Sequence, residues 1–337
     1  MSEAFWTGRR VLVTGANGFI GAWLVSALLD LGARPVGFDL ASDGALSLHP
    51  RASDRVPLVL GETTDDDTFS RALREHEIEI VYHLAANSNL GWARSHPVPV
   101  FQANIEGAWT VLEACRNYGK LIGLVVASSN TVYGEQTTEA PFTESFPFNP
   151  TNPYAASKAC TDVLARCYAG QFEMPVAVVR ATNTFGGADP NLKRIVPDTC
   201  LKLLRGERPV ILSDGSPRKG YLYIRDTVAA YLLVGERAGQ DGIRGEAFNF
   251  HPPTPISVLE LVRAIVKVSG HLELEPEVLG APGKYEFEYL SAAKAMKMLG
   301  WREDYTLEQA LSETYAWYRE HLEASELGRA ADRFVRM

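Results

Sequence analysis

Tyr154 and Lys158 stand four residues apart in Tyr154-Ala155-Ala156-Ser157-Lys158, directly after Pro153. Proline suits a first helical turn, and four-residue spacing puts both side chains on one helix face. An ammonium beside a phenol favours the phenolate and lowers a pKa whose reference value is ~10. Such a tyrosine takes a proton from a substrate hydroxyl while hydride leaves the same carbon. Ser129, in Ser128-Ser129-Asn130-Thr131 at the end of a predicted strand, can hydrogen-bond the same oxygen. A Tyr/Lys pair alone is commonly surface decoration; this one keeps company with groups that give it chemistry. Ser129, Tyr154 and Lys158 are the candidate catalytic residues.

Hydride needs an acceptor, and a second constellation supplies its site. Gly15-x-x-Gly18-x-x-Gly21, within the segment Thr14 to Gly21, follows one predicted strand and opens a helix. The first glycine permits a tight turn, the second lets the backbone approach a pyrophosphate, and the third allows close helix–strand contact. The helix N-terminus adds N–H donors and the positive end of its dipole. Asn17, Phe19 and Ile20 belong to the same turn. Asp39 ends the next predicted strand, 24 residues after Gly15, near the ~20 expected for a ribose-binding acid. A carboxylate there repels a 2′-phosphate, and Leu40-Ala41-Ser42-Asp43 holds no arginine to receive one. The cofactor read from these residues is NAD, whose positive nicotinamide pushes Tyr154 further toward its phenolate.

The elements that must position these groups alternate strand and helix, which implies a parallel sheet covered by helices. Strands are expected at 10–13, 35–39, 56–60, 80–84, 121–127 and 176–180. Helices are expected at 19–31 (capped by Gly32), from the acidic start at 65–67, at 99–118 and at 154–172. Beyond residue 180 proline and glycine become frequent and the alternation weakens. The expected architecture is α/β: a doubly wound NAD-binding sheet over 1–180 and a smaller α/β substrate-binding region over 181–330. Some of the latter chain is expected to return to the first domain. The last dozen residues read as a frayed tail.

The chain has 337 residues, 46% hydrophobic and 22% charged, with a net charge of −8. No basic face is apparent, which disfavours a nucleic-acid partner. Cys115, Cys160, Cys167 and Cys200 show no paired spacing, so neither a zinc site nor a disulfide framework is expected. Cys160 and Cys167, seven apart, read as core packing. Reduced thiols point to the cytoplasm. Polar residues and glycines interrupt the apolar run from Val11 to Leu29, which argues against a signal peptide, and no stretch approaches a membrane span.

The chain resembles the extended short-chain dehydrogenase/reductases of the nucleotide-sugar epimerase/dehydratase group over nearly its full length. The residues that carry the resemblance are Thr14 to Gly21, Asp39, His83-Leu84-Ala85-Ala86, Asn104, Ser128 to Gly134, the Tyr154/Lys158 pair and Asn183. The tail pattern Lys294-Ala295-x-x-Met298-Leu299-Gly300-Trp301 joins them. The resemblance implies a Rossmann domain, tightly held and recycled NAD, and a nucleotide-diphospho-sugar substrate. It also implies a homodimer built on two helices per subunit. Glu62, Leu84, Ala85, Ala86 and Asn104 join the candidate cofactor residues. Asn87 and Ser88 are expected to line the sugar pocket, and His83 to pack at a strand end.

The reaction turns on Asn130 and Thr131. Nucleotide-glucose 4,6-dehydratases typically carry an acid, often Asp-Glu, just after the hydroxyl residue; one side chain removes the C5 proton and another protonates the leaving C6 hydroxyl. Asn130 and Thr131 supply no such pair, whereas a 4-epimerase needs none. Against this, the stretches from Asn183 to Gly187, Arg194 to Asp198 and Ser213 to Gly215 resemble the CDP-glucose 4,6-dehydratase branch. Function resides in the site rather than in overall likeness. The first reading is therefore a 4-epimerase and the alternative a 4,6-dehydratase. A non-catalytic NAD-binding regulator is disfavoured by Ser129, Tyr154 and Lys158. Asn183 resembles the diphosphate-contacting asparagine of these enzymes; Arg194, Arg218 and Tyr221 are further candidate substrate contacts. Many relatives have Arg-Asp where this chain has Lys219-Gly220.

Overall fold

The β-branched runs of the first half pair side by side as parallel strands, because each can be buried on both faces. They are Arg10–Thr14 (β1), Arg34–Asp39 (β2), Leu58–Leu60 (β3), Ile80–His83 (β4), Gly123–Ala127 (β5) and Val176–Ala181 (β6). This is a computed structural model, and it describes residues 2–136, 138, 140–280 and 287–323. A seventh strand, Ala247–Phe250, lies beside β6, so the order across the sheet is Ala247–Phe250, β6, β5, β4, β1, β2, β3. Within β1, Val11 and Val13 face one hydrophobic core while Leu12 faces the other, the two-residue period of a strand. The strand order reverses between β1 and β4, and ligands of open α/β sheets bind beyond the strand ends at such a point.

Helix Phe19–Asp30 follows β1 and buries Phe19, Ala22, Leu24, Val25 and Leu28 in the core that helix Ile224–Arg237 also fills. Pro57 shortens β3 at its start: it has no N–H to give, though its carbonyl accepts from Gly37 N at 2.9 Å. The helix expected at 99–118 is not continuous. It runs as Pro97–Phe101, a π-helical turn Gln102–Glu106 and Gly107–Tyr118. Such a bulge often marks a functional site, and here it contains Asn104.

Helix Pro153–Phe172 begins as expected, with Pro153 in its first turn and the Asn152 side chain accepting from Ala155 N at 2.9 Å. Its buried face holds Ala155, Ser157, Lys158, Ala159, Thr161, Asp162, Ala165 and Ala169. Cys160 and Cys167 are exposed, which corrects the core-packing expectation. Seven-residue spacing puts two side chains on one face but does not say which face is buried.

From residue 183 on, apart from the sheet strand Ala247–Phe250, the described strands form two-stranded pairs. Asn183–Phe185 pairs with Tyr221–Tyr223, Arg218–Lys219 with Ile256–Ser257, and Val210–Ile211 with Glu277–Val278. Helix Ala293–Leu299 ends at Gly300, whose φ is +67°, and the buried Trp301 meets Phe250 edge-on at 5.1 Å. The expected frayed tail lies outside the described residues. Among the described residues, no helix is long and apolar enough to cross a membrane.

Candidate active site

A cleft of about 1310 Å³ opens where β1, β4 and β5 end. All the predicted site residues line it except Asn104 and Arg218. One end is the glycine turn. Gly15 has φ +70° and packs so closely that a Cβ would stand 2.9 Å from Ala85 N; a Cβ on Gly21 would collide with the Gly15 carbonyl. Only glycine fits both positions. Asp39 accepts from Asn17 N and from Leu40 N, each at 2.8 Å. It thus ties β2 to the turn while lining the cleft. Burial raises its pKa, and those backbone donors oppose the rise.

The catalytic candidates converge. Tyr154 and Ser129 both line the cleft, and Ser129 is near enough to Tyr154 to pull its pKa down. Ser129 Oγ accepts from Thr131 N at 3.2 Å and Thr131 Oγ1 at 2.9 Å, and donates to Asn130 Oδ1 at 3.1 Å. Lys158 Nζ donates to the Ala127 carbonyl at 2.7 Å, and burial lowers its pKa to about 8. One expectation is corrected here. Tyr154 titrates above its ordinary range, because burial outweighs the lowering by Ser129 and by the Arg194 charge. Lys158 is spent on a carbonyl rather than on the phenol.

Asn104 does not line the cleft but organises its wall. Its Oδ1 accepts from Asn87 N at 2.7 Å, and its Nδ2 donates to Asn87 O and Ser157 Oγ at 3.1 and 2.8 Å. The π-helical turn aims that amide between the loop after β4 and the helix that carries Tyr154. His83 is buried beside Thr14 Oγ1 at 3.0 Å, and burial, then the Lys158 charge, lowers its pKa to about 3. It is a neutral packing residue.

The other end of the cleft is polar. Arg194 pairs with the buried Asp189 at 3.1 Å. Arg218 points away: its guanidinium meets the Pro255 carbonyl at 3.0 Å and Glu260 at 3.3 Å. Its neighbour Lys219 lines the cleft instead, since successive strand residues face opposite sides. Lys219 Nζ meets Glu288 Oε1 at 3.4 Å, while Asn130 Nδ2 and Asn183 Nδ2 donate to Glu288 Oε2 at 3.1 and 3.0 Å. Neither Glu288 nor Asp189 was foreseen. Glu288 lies 158 residues beyond Asn130 in the chain, and no local pattern announces such a meeting.

Comparison with known proteins agrees with this geometry. The sequence model of the NAD dependent epimerase/dehydratase family matches residues 11–249. The chain belongs to that family. It is 26% identical to a CDP-glucose 4,6-dehydratase of Salmonella typhimurium, over 97% of this chain and 95% of that one. It is 32% identical to a UDP-glucose 4-epimerase of Mycolicibacterium smegmatis, over 92% of this chain and 98% of that one. A solved structure of Bacillus anthracis dTDP-glucose 4,6-dehydratase in complex with NAD superposes with a TM-score of 0.83. That likeness is at 27% identity and covers 94% of this chain and 98% of the other. The protein is thus an NAD-dependent enzyme of the epimerase/dehydratase kind on a Rossmann fold. The cleft fits the cofactor: a Gly15/Gly21 cradle without side chains at one end, Asp39 beside it, and Tyr154 with Lys158 beyond.

Proposed function

We propose that the protein is a nucleotide-diphospho-sugar 4-epimerase acting through a transient 4-keto sugar. The observation that carries this reading is the surroundings of Ser129. Tyr154 and Ser129 stand close, and the next two residues, Asn130 and Thr131, are neutral side chains engaged with Ser129 itself. Bound NAD supplies the hydride acceptor. Tyr154, once ionised, takes the proton of the C4 hydroxyl as that carbon loses hydride, and returns it when hydride comes back to the opposite face. Ser129 holds the C4 oxygen, and Lys158 adds positive charge behind it. Gly15, Asn17, Gly18, Phe19, Ile20, Gly21, Asp39, Glu62, Leu84, Ala85 and Ala86 hold NAD in this reading. Asn87, Ser88, Asn130, Thr131, Asn183, Arg194 and Tyr221 face the sugar nucleotide.

The chain before residue 181 serves mainly the cofactor and the chain after it mainly the substrate. The working unit is a homodimer in the cytoplasm. Trp109, Val163 and Phe172, exposed on helices Gly107–Tyr118 and Pro153–Phe172, support a helix-paired interface, since large exposed apolar side chains in one region mark contact surfaces. The four unpaired thiols suit a reducing compartment.

A second reading, a 4,6-dehydratase, draws on the likeness to the Salmonella CDP-glucose enzyme along 97% of the chain. Incubating UDP-, dTDP-, CDP- and GDP-sugars with the protein in deuterated water separates the two. A 4-epimerase inverts C4 and places no deuterium on carbon. Deuterium at C5 with loss of water would overturn the first reading in favour of the second.

A further inference from the structure

Glu288 is a carboxylate installed among cleft donors. Asn130 and Asn183 both direct amide hydrogens at its Oε2, and Lys219 faces its Oε1. All three donors line the cleft. Asn130 is in turn the acceptor for the Ser129 hydroxyl at 3.1 Å. Two hydrogen bonds therefore separate Glu288 from the group that holds the reacting oxygen. The backbone pins it as well: Glu288 N donates to Arg218 O at 2.9 Å, and Tyr289 N to Gln136 Oε1 at 2.8 Å.

We propose that Glu288 sets which sugars the cleft accepts: it favours a neutral, hydroxyl-bearing sugar and rejects one that carries a carboxylate. The inference rests on the nucleotide-sugar reading above. An ionised carboxylate has only acceptor sites to offer, and sugar hydroxyls are donors. Hydrogen bonds to a charged acceptor are about twice as strong as neutral ones. A sugar whose reacting hydroxyl lies on Ser129 brings its neighbouring substituents toward Asn130 and the carboxylate beyond it. Glu288 Oε2 and the Ser129 Oγ that would hold that sugar are joined by two hydrogen bonds of 3.1 Å through one amide group. So short a path is comparable with the screening length of about 8 Å at physiological salt, so the repulsion of a carboxylate on that sugar survives in the buffer. Glu288 stands behind the cleft-lining Asn130, Asn183 and Lys219 rather than in the lining itself, and its side chain keeps 33% of its surface exposed.

The test compares glucose with glucuronate, each carried on UDP, dTDP, CDP and GDP, by calorimetric binding to the NAD-loaded protein. Turnover is followed in parallel. In the wild type the neutral sugar binds at least tenfold more tightly than the acid. In Glu288→Gln, which keeps the shape and the amide contacts, that ratio falls about tenfold, from weaker glucose binding together with stronger glucuronate binding. Glu288→Asp restores part of the preference. NAD content, unchanged in both variants, reports that the cleft is intact. An unchanged ratio in Glu288→Gln overturns the proposal. So does a fall in turnover with binding unaffected, which would make Glu288 an acid or base of the reaction. Tighter binding of all four nucleoside diphosphates without a sugar would overturn it too, by making Glu288 a stand-in for phosphate. Failure of the wild type to bind any of the eight ligands would instead overturn the nucleotide-sugar reading itself.

Discussion

Helix Pro153–Phe172 buries two charged side chains one turn apart, Lys158 and Asp162, and treats them in opposite ways. Asp162 is fully buried and receives both arms of Arg180, Nε and Nη2 each at 2.8 Å. Arg180 is completed by Tyr133 Oη at 2.7 Å and by the faces of Tyr133 and Phe148. Among the described residues Lys158 has one acceptor, Ala127 O at 2.7 Å, and its pKa falls to about 8 because burial disfavours the ammonium. A two-pronged pair satisfies both ions and fixes geometry. An ammonium facing a carbonyl remains costly, and such sites gather where chemistry is done. The paired charge holds Tyr133 and the wall behind the cleft, and among the described residues the other has no counterion.

The contrast can be broken at several points. Replacing Tyr154 with Phe removes the proton carrier and keeps the ring. Turnover should fall about 10³-fold or more, equivalent to ~4 kcal/mol of barrier, with NAD content unchanged; residual activity near wild type would move the chemistry elsewhere. Asp162→Ala leaves Arg180 buried without its counterion. Denaturant unfolding should then register a loss of about 3 kcal/mol or more, and a loss under 1 kcal/mol would deny the structural role.

Lys158→Met should do the reverse. Turnover should fall about 10²-fold, or ~2.7 kcal/mol, while the NAD-free protein becomes more stable at pH 7, because a buried ammonium with one acceptor is replaced by a thioether chain. The pH dependence gives the sign. Below about pH 8 the wild-type lysine is charged both folded and unfolded, so its burial penalty is fully present. Between about 8 and 10.5 the folded chain loses the proton first and the penalty fades, so the advantage of Lys158→Met shrinks as pH rises. An advantage that grows with pH would contradict the assignment. The smallest effects compare neighbours. Lys219→Ala should raise KM about tenfold, or ~1.4 kcal/mol, and Arg218→Ala less than twofold, as its half-exposed pair with Glu260 suggests. Equal effects would put both side chains in the cleft.

What could be read from the sequence was local. The glycine turn, Asp39 and the Tyr154/Lys158 pair depend on spacing along one strand–turn–helix or one helix face, and spacing survives folding. The six strands of the first half were legible for the same reason, with the start of β3 displaced past Pro57, while the helix expected at 99–118 was interrupted by the π-helical turn at Asn104. Burial was harder to read. Cys160 and Cys167 share a face, but the face they share is exposed. Pairing across the chain was not legible at all. Lys158 meets Ala127 rather than Tyr154, Arg218 turns away from the cleft while Lys219 enters it, and Glu288 reaches Asn130 from 158 residues on. Each of these is settled by tertiary packing after the local pattern has done its part.

The central claim is that hydride leaves C4 of a sugar nucleotide and returns to C4. A sugar nucleotide carrying deuterium at C4, converted by the NAD-loaded protein in ordinary water, tests it by mass and NMR analysis of the product. The account predicts that the deuterium remains on C4, now with inverted configuration. Deuterium found on C6 of a 4-keto-6-deoxy product would contradict it.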